Sequence, residues 1–481
     1  MRFWTTIALI LILSAAGLTY EIAAGRVLAP FFGTSLVTWT SVIAVILTGF
    51  SLGNALGGLI AERPRYQAMR MIRAALVLTA VLMALSPAVL SLIYAMGARG
   101  TGGMLLSVTV AFFPASVLIS LPSPLLASLA VEARPGREGS SLGMVLAAGS
   151  LGAILGAVMA GFVALPLIGS VATFAGCGLA ALVSALLIRG TGAPPTAIGP
   201  GRAMLMAGGA VAAAAVVAGG PLCRFESGMS CIDVLAHGDR VTLFSDRVPQ
   251  AAERLRAQDG SHLALPYTDW IWARMQRDLG PAPSVLFIGG GGYGLPAQLL
   301  SARPDARAVA VEIDPLITRV VRAEMPWAGS VLAERGAEGG PDAPGRLTVV
   351  HADGRVFLND TTRRFDAVVM DAFSSDTVPA HLATLEAYRR VRAVTDGPVY
   401  VNLIDRPDGP LARGIHAILG AVYPHVEAVR GPLSARGRTN ILMVASPTPL
   451  ASGVTLPEGY APYRVAQGRA FTDDRGWIGH R

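Results

Sequence analysis

Apolar residues run in long, nearly unbroken blocks up to about residue 220 and in short runs after it. The blocks cover residues 6–28, 36–60, 74–96, 104–131, 142–163, 165–188 and 203–219. Most reach the roughly 20 residues a helix needs to cross a bilayer. The first follows Met1-Arg2, as a secretory signal would. It runs too long, however, and continues through Tyr20-Glu21 towards further blocks, so a retained helix is expected. The pattern predicts an α-helical polytopic domain over residues 1–220, seated in a lipid bilayer with six or seven spans.

Beyond residue 220 the period changes. Short β-like pieces at 232–235 and 240–244 precede an aromatic-rich helix candidate at 270–279, which marks a small β-rich subdomain over 221–280. Strand candidates then fall at 285–288, 308–312, 347–350, 366–370, 398–404 and 440–445, with helical stretches such as 316–324 and 382–394 between them. Alternation of this kind predicts a doubly wound α/β sheet over 281–446. The Gly/Pro-rich stretch 336–345 reads as a surface loop, and the tail 447–481 as irregular.

Charge sharpens the division. Residues 1–220 hold 11 Arg and 4 acids, leaving 28 of the 39 basic and 28 of the 32 acidic residues to a neutral remainder. Every cation is arginine, since the chain has no lysine. The excess clusters at Arg63, Arg65, Arg70 and Arg73, at Arg134 and Arg137, and at Arg189 and Arg202, while alternate loops hold little beyond Arg26 and Arg99. By the positive-inside rule the N-terminus is cytoplasmic. The basic balance is therefore a matter of membrane topology, and no basic-aromatic patch points to nucleic acid. Seven spans would put the second half outside, where Cys223 and Cys231 could form a disulfide. Six would return it to the cytoplasm, the side expected here because the ligand implied below is made in the cytosol.

Within the apolar half, Gly49, Gly53 and Gly57 repeat at four-residue spacing with Gly58 beside them, and Gly152 and Gly156 do the same. Small residues so placed let helix backbones meet in lipid. Glu21, Arg26, Asn54 and Glu62 are the polar exceptions, and a carboxylate inside a span must be paired or face a polar cavity.

The chemistry concentrates at 285–294, Val-Leu-Phe-Ile-Gly-Gly-Gly-Gly-Tyr-Gly. An apolar strand breaking into glycines before a helix lets a backbone approach a nucleotide and aims helix N–H groups at it. About twenty residues on, the next strand ends in Glu312, where a Rossmann-like sheet places its ribose-binding carboxylate. Two more strands end in acids, at Asp353 and at Asp371, with Asp376 shortly after. Ligands of open α/β sheets sit at the strands' carboxyl ends, so these acids should share one cleft. Three cysteines and seven scattered histidines lack metal-ligand spacing, so no metal is expected.

At these motifs the chain resembles the polyamine aminopropyltransferases (spermidine synthases), in particular bacterial membrane-fused forms. The shared pieces are the glycine turn 289–294, Val311-Glu312-Ile313-Asp314, Asp353-Gly354-Arg355 and 370–376, Met-Asp-Ala-Phe-Ser-Ser-Asp. In the membrane half they are Tyr20-Glu21, 26–33 and 52–58. The resemblance implies a Rossmann-like, methyltransferase-type sheet. It implies a decarboxylated S-adenosylmethionine co-substrate, no tightly bound cofactor, and a small amine or polyamine acceptor. It also implies that Gly289, Gly290 and Gly291 pack along the nucleoside, Glu312 holds the ribose, Asp353 and Gly354 the adenine, and that Asp371 is the general base. Asp246, Gln250, Tyr267 and Asp376 fall on the amine side.

Departures from the family pattern gather on that side. The acid usual in the fourth position of the turn is Gly292, followed by Tyr293. A Tyr-His-Glu element reads Tyr267-Thr268-Asp269, and a usual glutamine is Ser230. The turn, Glu312 and Asp353 would equally suit an S-adenosylmethionine-dependent methyltransferase, and a non-catalytic transporter or sensor that binds a nucleoside or polyamine is the reading of another class. The sequence is also compatible with a homo-oligomer.

Overall fold

A computed structural model describes residues 2–33, 36–188, 222–338, 345–372, 379–434 and 437–475, with a few isolated positions between 207 and 214. The chain forms two compact units, Met1–Cys231 and Ile232–Arg481.

The first unit is helical: α1 (Phe3–Phe32), α2 (Leu36–Ala61), α3 (Arg65–Ala95), α4 (Gly100–Ser120), α5 (Pro122–Glu132), α6 (Glu138–Val158) and α7 (Leu165–Leu187). Among the described residues five stretches are long and apolar enough to cross a membrane, and the last of them, Glu138–Leu187, has 50 residues. At 1.5 Å per residue it would measure roughly 75 Å, against ~30 Å of hydrocarbon. Gly169, with φ 76 and ψ 174, breaks it into two rods. Six of the seven apolar blocks thus appear as helix, and 203–219 falls almost wholly outside the described residues. The sequence placed the last of these breaks near Leu165, where Pro166 follows. Instead a π-helical turn, Met159–Ala164, precedes the proline, and the chain stays helical until Gly169. The outer surface of the unit is apolar, with Phe162 and Leu167 80% and 75% exposed, a face suited to lipid rather than water.

Glycines set how closely the rods pack. A methyl group on Gly53 would lie 2.1 Å from the Val117 carbonyl oxygen, and one on Gly57 2.3 Å from that of Leu121. Gly152 and Gly156 meet the Leu11 and Ala15 carbonyl oxygens of α1 in the same way, each at 2.3 Å. Both pairings, α2 with α4 and α6 with α1, are parallel, because residue numbers rise together along them. Between the rods Tyr20 hydroxyl lies 2.7 Å from Ser86 Oγ, which donates to the Ala111 carbonyl. Glu21 is buried and its Oε2 makes no hydrogen bond among the described residues.

The second unit opens with an antiparallel meander, β1 (Cys231–His237), β2 (Arg240–Ser245), β3 (Val248–Gln258) and β4 (Ser261–Leu263), followed by α8 (Pro266–Asp278). Asp246 and Arg247, at φ 47 and 64, form the two-residue turn between β2 and β3, the backbone hand such hairpins need. A nine-stranded sheet follows: β5 (Ser284–Ile288), β6 (Arg307–Glu312), β7 (Gly336–Glu338), β8 (Leu347–His351), β9 (Ala367–Met370), β10 (Val399–Asp405), β11 (His425–Arg430), β12 (Thr439–Ser446) and β13 (Ala461–Pro462). Its order is β13-β11-β12-β10-β9-β5-β6-β8-β7. From β10 to β7 neighbours are parallel, and β12 enters antiparallel between β10 and β11. This is the Rossmann-like, methyltransferase-type sheet. The first residues of the expected 336–345 loop form its edge strand β7, while 339–344 lie outside the described residues. The tail contributes β13.

Replacing Gly53 with leucine should force α2 off α4 and lower stability by about 1–3 kcal/mol, the usual penalty of overpacking. Gly58→Leu should leave it unchanged, because nothing lies within 4 Å of a methyl group there. Thermal melts of the two purified variants in one detergent check this, and equal melting temperatures would refute it.

Candidate active site

Strand order runs outward in both directions from β5 and β9, and that crevice is where an open α/β sheet takes its ligand. The glycine turn after β5 and Asp371 after β9 meet there. A methyl group on Gly289, whose φ is 100, would lie 2.5 Å from the Asp371 carbonyl oxygen, so only glycine lets the turn lie against the end of β9. The Asp371 side chain faces the turn, with Oδ2 3.5 Å from where a Cβ of Gly291 would stand.

Two donors hold that carboxylate. Tyr267, from the first turn of α8, donates its hydroxyl to Oδ2 at 3.1 Å, and Asn402 on β10 donates Nδ2 to Oδ1 at 2.8 Å. Asn440 on β12 donates in turn to Asn402 Oδ1 at 2.9 Å, which fixes the amide's orientation. Burial pushes the Asp371 carboxyl up to about 6, against the pull of the Asn402 and Tyr267 hydrogen bonds. Tyr267 is itself pushed well up, first by burial and then by Asp371, so it remains a donor.

Asp371 and Tyr267 line a cavity together with the glycines Gly289, Gly290, Gly291 and Gly292, Phe287, Met325 and the β3 residues Ala251, Ala252 and Glu253. Glu253 is buried, and its two oxygens accept N–H groups of Trp327 and Ala328 at 2.8 and 2.9 Å. It thereby caps α9 (Pro326–Arg335). Burial raises its carboxyl against those two bonds. At Gly292, φ is 80 and a methyl group would stand 2.2 Å from the Ala251 Cβ. The backbone here leaves no room for the acid that the family pattern carries at this position.

Nearer β6, Glu312 is buried, accepting the Gly290 N–H on Oε2 at 2.8 Å and the Asp314 N–H on Oε1 at 2.9 Å. Burial raises its carboxyl and those bonds oppose the rise. Asp353 caps α10 (Gly354–Asp360), with Oδ1 accepting from Arg355 and Val356 at 2.8 and 3.2 Å and Oδ2 lying 2.8 Å from His381 Nε2. Burial pushes this carboxyl up, but the Val356, His381 and Arg355 bonds outweigh it and the net shift is down. Gly354 packs on Ile288, whose Cγ2 would be 2.6 Å from an added methyl.

No family profile matches the chain. Polyamine aminopropyltransferase 1 of Streptomyces coelicolor is 32% identical over 126 residues, which is 26% of this chain and 22% of that protein. The polyamine aminopropyltransferase of Vibrio vulnificus is 26% identical over 163 residues, 32% of this chain and 49% of its own length. The chain is similar to polyamine aminopropyltransferases. It spans half or less of the length of these curated relatives. A solved structure of a probable spermidine synthase from Corynebacterium glutamicum shares 20% identity, covers 52% of this chain and 97% of its own, and superposes with a TM-score of 0.42.

Of the residues singled out in the sequence, Asp371, Tyr267, Gly289, Gly290 and Gly291 come together at one cavity. Glu312 joins them through Gly290, and Asp353 and Gly354 stand at the end of β8, next but one in the sheet. Asp246 sits in the β2–β3 turn and Gln250 on β3, neither among the residues that line the cavity. Asp376 lies outside the described residues. The sequence reading passed over Asn402, Asn440, Glu253 and His381. Asn402 carried a usable signal, as a polar residue near the carboxyl end of an apolar strand.

An exposed aspartate titrates near 3.9, and the folded Asp371 near 6. The folded state therefore disfavours its ionisation, and stability falls as pH rises from about 4 through about 6. Asp371→Asn, which never ionises, should melt above the wild type at pH 8 and lose that advantage only below about pH 4. Melting temperatures of both proteins across this range decide the matter, and a pH-independent difference would contradict it.

Proposed function

We propose that the second unit is an aminopropyltransferase-like enzyme, which moves an aminopropyl group from decarboxylated S-adenosylmethionine to a small amine or polyamine. The observation that carries this reading is the Asp371 carboxylate, poised near pH 6 by burial and aimed at the glycine turn by Tyr267 and Asn402. An acceptor amine enters as the ammonium ion, which an ionised Asp371 attracts. For reaction the ammonium has to lose a proton, and an alkylammonium holds it near pH 10. Raising the carboxyl from its usual range narrows that gap.

With the proton on Asp371, the amine lone pair attacks the aminopropyl carbon bonded to sulfur. A C–N bond forms, the C–S bond breaks with its electron pair passing to the sulfonium, and neutral methylthioadenosine leaves. Glu312 supports the nucleoside half of the reading. Its bonds to the Gly290 and Asp314 N–H groups occupy only part of the carboxylate's acceptor capacity, which leaves room for a ribose hydroxyl. Asp353 and His381 flank the adenine side. In Asp376 and the substrate side generally, the reading follows the resemblance to polyamine aminopropyltransferases.

Asp371→Asn should cut kcat by about 10²–10⁴ while methylthioadenosine still binds with near wild-type affinity. Glu312→Ala should do the reverse in calorimetry, weakening methylthioadenosine by about tenfold or more for each charge-assisted bond lost. Product analysis by mass spectrometry, with the donor and a mixture of amines, reads the transfer. Near wild-type transfer by the Asp371→Asn variant would remove the base and with it the mechanism.

A further inference from the structure

The two ends of the helices in the first unit can be told apart by their contacts. At one end Arg134 stacks on Phe3 at 3.6 Å, Arg65 pairs with Glu132, and Arg73 donates to the carbonyl of Ile188, the residue that closes α7. At the other end Phe31 and Phe32 meet Tyr94 at 5.0 and 5.6 Å, and Arg99 lies over the same ring at 3.5 Å. Helix directions agree with this assignment. Parallel α1 and α6 run from the first face to the second, parallel α2 and α4 run back, and α7 lies antiparallel to α3, with Gly178 on Ala80 and Ile188 on Arg73.

The segment after residue 221 returns to the second face. Glu226 accepts the Ser170 N–H at 3.0 Å and the Ser170 hydroxyl, which caps the rod that restarts after Gly169. Arg26, near the end of α1, donates to the Ser227 carbonyl at 3.3 Å. Cys223 and Cys231 are joined as a disulfide across this small loop, with Cα atoms 5.7 Å apart. So Ile188 lies at the first face and residues 226–227 at the second. Whatever path joins them changes sides, and the apolar block 203–219 is long enough to do so.

We infer that the chain crosses the membrane seven times, and that Ile232, bonded to Cys231, begins the second unit on the side away from the arginine-rich loops, outside the cytoplasm. Two further observations meet in this assignment. The first face carries Arg63, Arg65, Arg70, Arg73, Arg134 and Arg137, and the second Arg99, Arg26 and Arg224. Cytoplasmic loops hold the arginine excess. The disulfide belongs to an oxidising compartment. The cytoplasmic placement expected from the ligand's origin thereby gives way to the opposite side. This inference rests on the first unit alone and holds whatever the second unit catalyses. It requires that the amine and nucleoside of the proposed reaction reach the cavity from outside the cytoplasm.

Substituted-cysteine labelling of the full chain tests it. Ala257→Cys marks the exposed tip of β3 and Glu62→Cys the loop after α2, both exposed and outside the cavity. A membrane-impermeant maleimide applied to intact spheroplasts should label Ala257→Cys and spare Glu62→Cys, which should react only after permeabilisation. The wild type should take up no reagent before reduction and two further alkyl groups at Cys223 and Cys231 after it. Labelling of Ala257→Cys only in permeabilised cells, or of Glu62→Cys in intact ones, overturns the assignment. So does a Cys223–Cys231 pair that alkylates in whole cells without reductant.

Discussion

Gly289 passes so near the carbonyl of Asp371 that a single methyl group could not stand between them. The rest of the candidate site depends on that approach. It lets the turn after β5 fold back on the end of β9, and this brings the Asp371 carboxylate over Gly291 instead of into solvent. It also carries Gly290 to Glu312, whose carboxylate ties the turn to β6. Once the turn is fixed, Tyr267 and Asn402 reach the acid from two different elements, and the low-dielectric setting that raises its pKa follows from their packing.

What could be read from the sequence was whatever repeats locally. The strands of the parallel sheet announce themselves as apolar runs, and the glycine turn and its following acids sit at spacings that the fold imposes. Asn402 and Asn440 escaped because their partnership exists only across the antiparallel β10–β12 register, where Asn440 pairs with Ile404 and so stands diagonally from Asn402. Glu253 reads as one more charge in a polar strand. Its meaning comes from a helix that begins more than seventy residues later and offers two free N–H groups. The apolar blocks divide between residues 163 and 165, but there the chain runs through a π turn and stays helical as far as Gly169, whose backbone makes the break.

In the first unit the glycine repeats were legible as packing and proved to be so, with carbonyl oxygens of the facing helix where side chains would otherwise stand. Side-chain caps between distant segments, such as Glu226 on Ser170, have no local signature at all. They are nonetheless what distinguishes one face of the bundle from the other.

The contact between Gly292 and Ala251 has a consequence for how this cavity can change over evolutionary time. At a φ of 80 and with Ala251 Cβ 2.2 Å from where its own would be, position 292 is closed to an acid for as long as β3 stays in place. The two positions are therefore coupled: a side chain at 292 needs the space that the Ala251 methyl now fills, so neither site can be changed alone towards an acid-bearing turn.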